Sequence, residues 1–188
     1  RLKHIEVIDG LLNGEVHETT TDIVLEHLFR LEKLLDGVYL INELSPKTTD
    51  KLLSFGELIS SLIIYEAIKA KGVNVQLKNS QNLIVTDSNF TNAAVNFEET
   101  NANITTYFEN NQKMVTVLPG FISKSENDEI TTLGRGGSDY TAAIIAAALN
   151  ASVLQIWTDV SGMFTTNPKM VKHAKPINKL SYLEAIEL

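Results

Sequence analysis

The sequence feature with the clearest chemistry is a glycine-rich loop, Gly134-Arg135-Gly136-Gly137-Ser138-Asp139-Tyr140, which leads into an alanine-rich stretch. Glycines let backbone N–H groups approach an anion, and a helix N-terminus adds partial positive charge. Arg135 adds a planar guanidinium suited to two-point contact with a carboxylate or phosphate. Ser138 and Asp139 would also suit an ordinary helix start, as N-cap and first-turn acid. Capping does not require an arginine between glycines, so the loop predicts an anion-binding site.

A second candidate segment, Trp157 to Lys169, follows a predicted strand. In open α/β sheets ligands bind beyond the carboxyl ends of strands, where Thr158 and Asp159 would lie. Phe164 is suited to flank a base, and Lys169 to contact phosphate oxygens as a point charge. A Ser-Gly turn followed by an Asn-Pro turn would explain the same residues without any ligand. Both interpretations stay open for this segment.

The third candidate is Ser54-Phe55-Gly56-Glu57, which precedes an apolar run. Ser-x-x-Glu at such a position is typical of a capping box, in which Glu57 would bond back to the helix start. The functional alternative makes Glu57 the acceptor for the ammonium group of an amino-acid substrate. The two roles compete for one side chain.

Composition limits the class of protein. The chain has 188 residues, 44% of them apolar, a formal charge of −7 and no cysteine. Scattered basic residues argue against a nucleic-acid surface, and no apolar run is long enough to cross a membrane. The four histidines show no metal-ligand spacing, so no metal site is predicted within the chain, and no P-loop motif occurs. We expect a cytoplasmic globular protein.

Helical spacing of apolar residues predicts a helix over residues 22–36, followed by Gly37. A second helix is predicted from near Ser54 to the basic residues before Gly72, and a strand follows over residues 73–77. Residues 79–112 are rich in Asn and Thr, so they predict loop with short strands around residues 83–85 and Ile104.

The second half of the chain gives a sharper pattern. Residues 115–118 predict a buried strand, residues 139–150 an alanine-rich helix, and residues 151–157 another strand. A strand, helix and strand in this order form a right-handed crossover. The expected fold class is therefore α/β, with helices packed on the faces of a mostly parallel sheet.

Five segments together resemble the aspartate kinase branch of the amino-acid kinase family, in family order across most of the chain. They are Ser54 to Glu57, Pro119 to Ile122, Gly134 to Tyr140, Trp157 to Lys169, and Leu180 to Ala185. The resemblance implies a three-layer αβα sandwich, incomplete in this chain. Residues 1–113 would form its helical, amino-acid-substrate side, and residues 114–188 the glycine-rich loop and the nucleotide-binding side.

The resemblance also implies roles for single residues. Arg135 and Ser138, with the glycines between them, would bind L-aspartate, and Glu57 would contact its amino group. Asp139 would organise the catalytic centre, without acting as a proton acceptor. ATP would be bound by Thr158, Asp159, Phe164 and Lys169, although the family more often has Tyr and Arg at the last two positions. Mg²⁺ would accompany the nucleotide.

Family members begin with a Lys-Phe-Gly-Gly loop and continue into regulatory domains, and neither feature is found in these residues. We therefore expect a fragment of a longer chain that is inactive by itself. The resemblance further implies a homo-oligomer, and leaves open a fusion to homoserine dehydrogenase and the identity of any feedback inhibitor.

The implied reaction is transfer of the γ-phosphoryl group of ATP to the side-chain carboxylate of L-aspartate, the first step of lysine, threonine and methionine biosynthesis. Two alternatives remain at this point. One is another member of the family, acting on glutamate or UMP, since the Asp-Val-x-Gly turn followed by Pro also occurs in those branches. The other is a regulatory or binding module of the same fold without turnover.

Overall fold

The computed structural model describes residues 2–112, 114–159 and 162–187. These residues fall into two compact units, Arg1–Leu154 and Gln155–Leu188. None of the helices in the described ranges combines the length and the apolar character needed to span a membrane.

The first unit opens with three helices, α1 (Leu2–Leu11), α2 (Gly14–Ile41) and α3 (Pro46–Ala70). Their apolar faces meet in one core made of Ile8, Leu12, Val24, Ile59, Ile63 and Ala67. The predicted helix over residues 22–36 lies inside α2, but Gly37 does not end it. A helical glycine costs only about 1 kcal/mol relative to alanine, and α2 continues to Asn42, whose left-handed backbone closes the helix.

Helix α3 begins at Pro46, much earlier than the predicted start near Ser54. Ser45 is its N-cap and accepts a hydrogen bond from the N–H of Thr48, while Pro46 occupies the first turn, where its missing N–H does no harm. The capping-box interpretation of Ser54 and Glu57 is therefore wrong, because both residues lie in the helix interior. The predicted end of this helix before Gly72 is confirmed.

Two small sheets follow. Strand β1 (Val75–Leu77) pairs in parallel with β3 (Val115–Val117), with Val75 opposite Val115. Strand β4 (Ile122–Ser125) lies between β2 (Val85–Thr86), which is parallel to it, and β5 (Ile130–Thr132), which is antiparallel. The predicted strands at residues 73–77, 83–85 and 115–118 are thus confirmed within a residue or two. The predicted burial of the strand at residues 115–118 is wrong: Val115 is 50% exposed, because β3 pairs only with β1 among the described strands.

The Asn- and Thr-rich stretch contains a helix where we predicted loop and strand. Helix α4 (Phe97–Glu109) buries Thr100 and Ile104, so Ile104 does not belong to a strand. Asn96 caps α4 by accepting a hydrogen bond from the N–H of Glu99 at 3.2 Å. Asn and Thr are weak helix formers, and their abundance hid the four-residue spacing of the buried side chains.

Helix α5 (Gly137–Ala148) confirms the alanine-rich helix and packs Ile144 against Leu83, Ile84, Ile104 and Leu133. The predicted strand at residues 151–157 is wrong, since this segment has no regular structure and Trp157 is 89% exposed. A strand needs hydrogen bonds from a neighbour, and none of the strands in the described ranges pairs with it. The β-α-β order instead occurs earlier, with α4 between the parallel strands β1 and β3.

The second unit carries one short helix, α6 (Tyr182–Glu187). A capping box begins it: the N–H and hydroxyl of Ser181 donate to Glu184 Oε2 at 2.8 and 2.7 Å. These hydrogen bonds from Ser181 hold the pKa of Glu184 below its ordinary value. Phe164 and Pro176 form an isolated antiparallel bridge in the same unit.

Candidate active site

An open cleft of about 350 Å³ in the first unit brings Glu57 together with the glycine-rich loop. Helix α3 supplies Glu57 from one side, and the loop at the start of α5 supplies residues 134–139 from the other, with Phe121 beside them. Residues that are distant in the sequence therefore line one cleft.

The glycine-rich loop is shaped to expose backbone N–H groups. Gly136 is the N-cap of α5, with a left-handed φ of 73° and no side chain to close the helix end. The N–H of Gly137 donates a hydrogen bond to the carbonyl of Gly134 at 3.0 Å, so this N–H has an internal partner. Ser138 and Asp139 follow in the first turn, so Ser138 is not the N-cap considered from the sequence. The open helix start offers N–H donors and partial positive charge to an anion.

A left-handed backbone at Gly134 and close packing at Gly137 explain why these two positions are glycine. A Cβ on Gly134 would stand 2.6 Å from Asn92 Oδ1, and the residue has a φ of +75°. A Cβ on Gly137 would stand 2.7 Å from the ring of Phe121. The loop thus passes close to Asn92 and Phe121, and it can follow this path because Gly134 and Gly137 have no side chains.

The turn before β4 is hydrogen-bonded to the start of α5 through Thr141. The N–H of Phe121 donates to Thr141 Oγ1 at 3.0 Å, and that hydroxyl donates to the carbonyl of Gly137 at 2.8 Å. Thr141 is buried, and Phe121 has a left-handed φ of 67°. A non-glycine residue in this conformation is uncommon, which indicates that the surrounding contacts hold it.

The charged groups of the loop point away from internal partners. Arg135 and Asp139 are exposed, and neither forms an ion pair or side-chain hydrogen bond with the part of the chain that the structure describes. The guanidinium of Arg135 is accordingly open to a ligand carboxylate or phosphate.

Glu57 is half-buried on α3, and its carboxyl accepts no hydrogen bond from the described residues. Burial raises the pKa of Glu57, because desolvation disfavours the charged form. A carboxylate that pays this cost without an internal partner is typical of a group that is completed by a ligand.

Sequence reasoning missed Asp50, a fully buried carboxylate about two helical turns before Glu57 on α3. It accepts a hydrogen bond from the N–H of Thr91 at 2.9 Å, and both the N–H and the hydroxyl of Thr132 donate to it. The available signal was positional: Asp50 lies on the same helical face as Ser54, which is also buried.

The second unit groups three of the predicted nucleotide-binding residues. Thr158 Oγ1 donates to Asp159 Oδ1 at 3.2 Å, and Lys169 Nζ lies 3.7 Å from Asp159 Oδ2. Asn167 Oδ1 accepts the N–H of Lys169 at 2.9 Å, which forms the predicted Asn-Pro turn. Phe164 is partly buried on the bridge to Pro176. Both candidate interpretations of this segment remain compatible with these contacts.

No cluster of three or more His, Asp or Glu side chains that could hold a metal occurs in residues 2–112, 114–159 or 162–187. Mg²⁺ in phosphoryl-transfer sites is held by only one or two carboxylates together with substrate phosphates. The unpaired carboxylate of Asp139 at the cleft fits that kind of site.

Comparison with known proteins gives one consistent family. The profile of the Amino acid kinase family matches residues 6–188. The lysine-sensitive aspartokinase 3 of Escherichia coli is 37% identical over 165 residues, which cover 84% of this chain and 36% of the relative. The bifunctional aspartokinase/homoserine dehydrogenase of Buchnera aphidicola is 31% identical, over 98% of this chain and 23% of the relative.

Solved structures agree with the sequence comparison. The structure of E. coli aspartokinase III in complex with aspartate and ADP superposes with a TM-score of 0.85 at 34% identity, over 96% of this chain and 39% of that protein. The α/β fold class and the resemblance to aspartate kinases are thereby confirmed. The chain spans between about a quarter and about two fifths of the length of these relatives.

Proposed function

The chain belongs to the amino acid kinase family, and from that premise we propose that the protein transfers the γ-phosphoryl group of ATP to the side-chain carboxylate of L-aspartate. The products are 4-phospho-L-aspartate and ADP, which places the reaction at the first step toward lysine, threonine and methionine. The observation that carries the proposal is the cleft in which Glu57 faces a glycine-rich loop bearing Arg135.

The charges of this cleft match those of an amino acid. Glu57 offers a carboxylate acceptor to the substrate ammonium group, while Arg135 and the open start of α5 offer donors to a substrate carboxylate. Ser138 adds a hydroxyl at the same helix start. A substrate with one ammonium group and two carboxylates would contact both Glu57 and the glycine-rich loop, with one carboxylate left to react.

Nucleotide binding is proposed for the second unit. Thr158 and Asp159 would hydrogen-bond the nucleotide, Phe164 would flank the base, and Lys169 would contact phosphate oxygens. The ion pair between Asp159 and Lys169 supports this role, since it holds the ammonium group near Thr158 while leaving both charged side chains 79% exposed.

In the reaction, a carboxylate oxygen of aspartate bonds to the γ-phosphorus as the bond to the β-phosphate oxygen breaks, and ADP leaves. Nucleophile and nucleotide are both anions, and each pair of unit charges at about 4 Å repels by about 4 kcal/mol at an effective dielectric of about 20. Arg135 and the α5 N-terminus reduce this repulsion at the aspartate side. Mg²⁺ would supply further neutralisation of phosphate charge.

No general base is required, since a carboxylate is already ionised at neutral pH. Asp139 is accordingly assigned the role of organising solvent and cationic groups at the start of α5. The exposed position of its carboxylate at the cleft supports this role and not a role in proton abstraction.

The test is to supply the full-length protein with Mg-ATP and single candidate substrates, and to trap any acyl phosphate as a hydroxamate. We expect the hydroxamate with L-aspartate and none with L-glutamate, and we expect no ADP release with UMP. Turnover with glutamate or UMP in place of aspartate would move the protein to another branch of the family. Absence of turnover with all three, together with retained ligand binding, would favour a regulatory module.

A further inference from the structure

We infer that Asp50 is a positioning residue, which sets the glycine-rich loop at its working distance from Glu57. The inference rests on the proposed function only for the identity of the substrate, because the hydrogen-bond geometry stands independently of it. Asp50 and Glu57 share helix α3, so any link from Asp50 to the loop also fixes the loop relative to Glu57.

The carboxylate of Asp50 holds the strand that leads into the loop. The N–H of Thr132 donates to Asp50 Oδ2 at 3.1 Å, and the hydroxyl of Thr132 donates to Oδ1 at 2.7 Å. Thr132 is the last residue of β5, and only Leu133 separates it from Gly134. The position and direction of the chain entering the loop are therefore set from α3.

A second link reaches the same glycine from its other side. The N–H of Thr91 donates to Asp50 Oδ2 at 2.9 Å, and Thr91 adopts a left-handed φ of 71°. A Cβ on Gly134 would stand 3.3 Å from the carbonyl oxygen of Thr91 and 2.6 Å from Oδ1 of the next residue, Asn92. Asp50 thus holds Thr91, whose carbonyl oxygen lies beside Gly134, and Thr132, which precedes Gly134 by two residues.

The chemistry of these partners explains why a carboxylate suits position 50. Both N–H groups can only donate, so Oδ2 must accept both, and the remaining oxygen faces the hydroxyl of Thr132. Asp50 is fully buried and pairs with no cation among the described residues. A buried carboxyl held only by neutral donors costs desolvation that burial of an apolar side chain would avoid, which favours a positioning role over simple stabilisation.

Thr131 provides a matched control on the same strand. Its side chain is equally buried but points to the opposite face, where its hydroxyl bonds Thr86 Oγ1 at 2.7 Å and Ser123 Oγ at 2.9 Å. Thr131→Val and Thr132→Val remove the same atoms from neighbouring positions, and only the second breaks a bond to Asp50.

The experiment measures substrate kinetics and amide hydrogen exchange in the full-length protein for Asp50→Asn, Thr132→Val, Thr132→Ser and Thr131→Val. We expect Asp50→Asn and Thr132→Val to raise the aspartate KM by about tenfold and to leave the ATP KM within about twofold. Amides of residues 133–138 should exchange faster in both variants, while those of α4 stay protected. Thr132→Ser, which keeps the hydroxyl, should behave as the wild type does.

The outcomes distinguish failure of the positioning role of Asp50 from failure of the proposed function. Equal effects of Thr131→Val and Thr132→Val on KM and on loop exchange would overturn the inference, because they would show general weakening of β5. If Asp50→Asn fails to fold, the two threonine variants still decide the question. If the wild-type protein has no aspartate kinase activity, the proposed function fails, and the exchange comparison alone decides whether Asp50 positions the loop.

Discussion

Gly120 lies directly against Ser138: a Cβ on Gly120 would stand 2.9 Å from both Cα and Cβ of Ser138. The turn before β4 therefore touches the backbone of the first turn of α5, which also lines the cleft. Since Ser138 Cα belongs to the backbone, no side-chain rotation can relieve such a contact. The position of the glycine-rich loop therefore depends on a residue that has no side chain.

Gly120→Ala should displace the start of α5. We expect the aspartate KM to rise at least about fivefold and the free energy of unfolding to fall by about 1–3 kcal/mol, measured by steady-state kinetics and denaturant titration. Gly37→Ala is the matched control, because Gly37 lies within α2 and an added Cβ meets no atom within 4 Å. Gly37→Ala should leave the KM values for aspartate and ATP unchanged and raise the free energy of unfolding by about 0.5–1 kcal/mol. Wild-type kinetics in Gly120→Ala would show that the loop tolerates movement.

Arg135→Lys tests the two-point contact with a substrate carboxylate. Lysine keeps the charge but loses the planar fork, so the aspartate KM should rise at least about tenfold while the ATP KM changes little. Arg30→Lys is a suitable control, since Arg30 is an exposed arginine on α2 that pairs with Glu26. Equal increases in the two KM values of Arg135→Lys would argue against a role in aspartate binding.

Local sequence patterns predicted the parts of the site that are local in structure. The glycine-rich loop and α5 are contiguous, and glycine spacing together with a run of alanines specifies both. Asp50 was missed because its partners Thr91 and Thr132 are distant in the sequence. Its four-residue spacing from Ser54 on one helical face was the available sign, and that spacing does not reveal the partners.

The wrong element predictions have two physical causes. Helix α4 was missed because local propensity opposed it. The burial of Thr100 and Ile104 overrode that propensity, with Ile104 packed in the cluster that contains Ile144 of α5. Residues 151–157 have the apolar, β-branched composition of a strand, but a strand also requires a hydrogen-bonding neighbour, which composition does not reveal. Ser54 and Glu57 fitted a capping box, yet Ser45 and Pro46 had already begun the helix.

Glu57→Gln distinguishes a ligand-binding carboxylate from a structural one. Burial raises the pKa of Glu57 above its ordinary value, so the contribution of this group to folding is most favourable below that ordinary value and is lost as the pH rises through the raised pKa. Replacing it by Gln should therefore not lower stability at neutral pH. Loss of the ammonium acceptor should nevertheless raise the aspartate KM about tenfold or more.

The same assignment predicts a pH profile. As the pH falls, protonation of Glu57 should weaken aspartate binding before the substrate side chain itself is protonated, because burial raises the pKa of Glu57 and the ordinary pKa of an aspartate side chain is about 3.9. The profile of 1/KM for aspartate should lose this step in Glu57→Gln and keep it in Glu66→Gln, a partly buried control on α3 that pairs with Lys69. Identical profiles in the wild type, Glu57→Gln and Glu66→Gln would show that Glu57 does not bind the substrate.

Lys169→Ala tests the nucleotide assignment in the second unit. The ion pair of Lys169 with Asp159 is 3.7 Å long and its side chains are 79% exposed, so its loss should scarcely affect stability. Contact with phosphate oxygens would instead make the variant raise the ATP KM by about tenfold with little change in the aspartate KM. Lys172→Ala, an exposed lysine nearby in the chain without an ion pair among the described residues, controls for a general loss of positive charge. Equal behaviour of the two variants would mean that the pair with Asp159 is only a surface contact, and that the Asn-Pro turn explains this segment without a nucleotide.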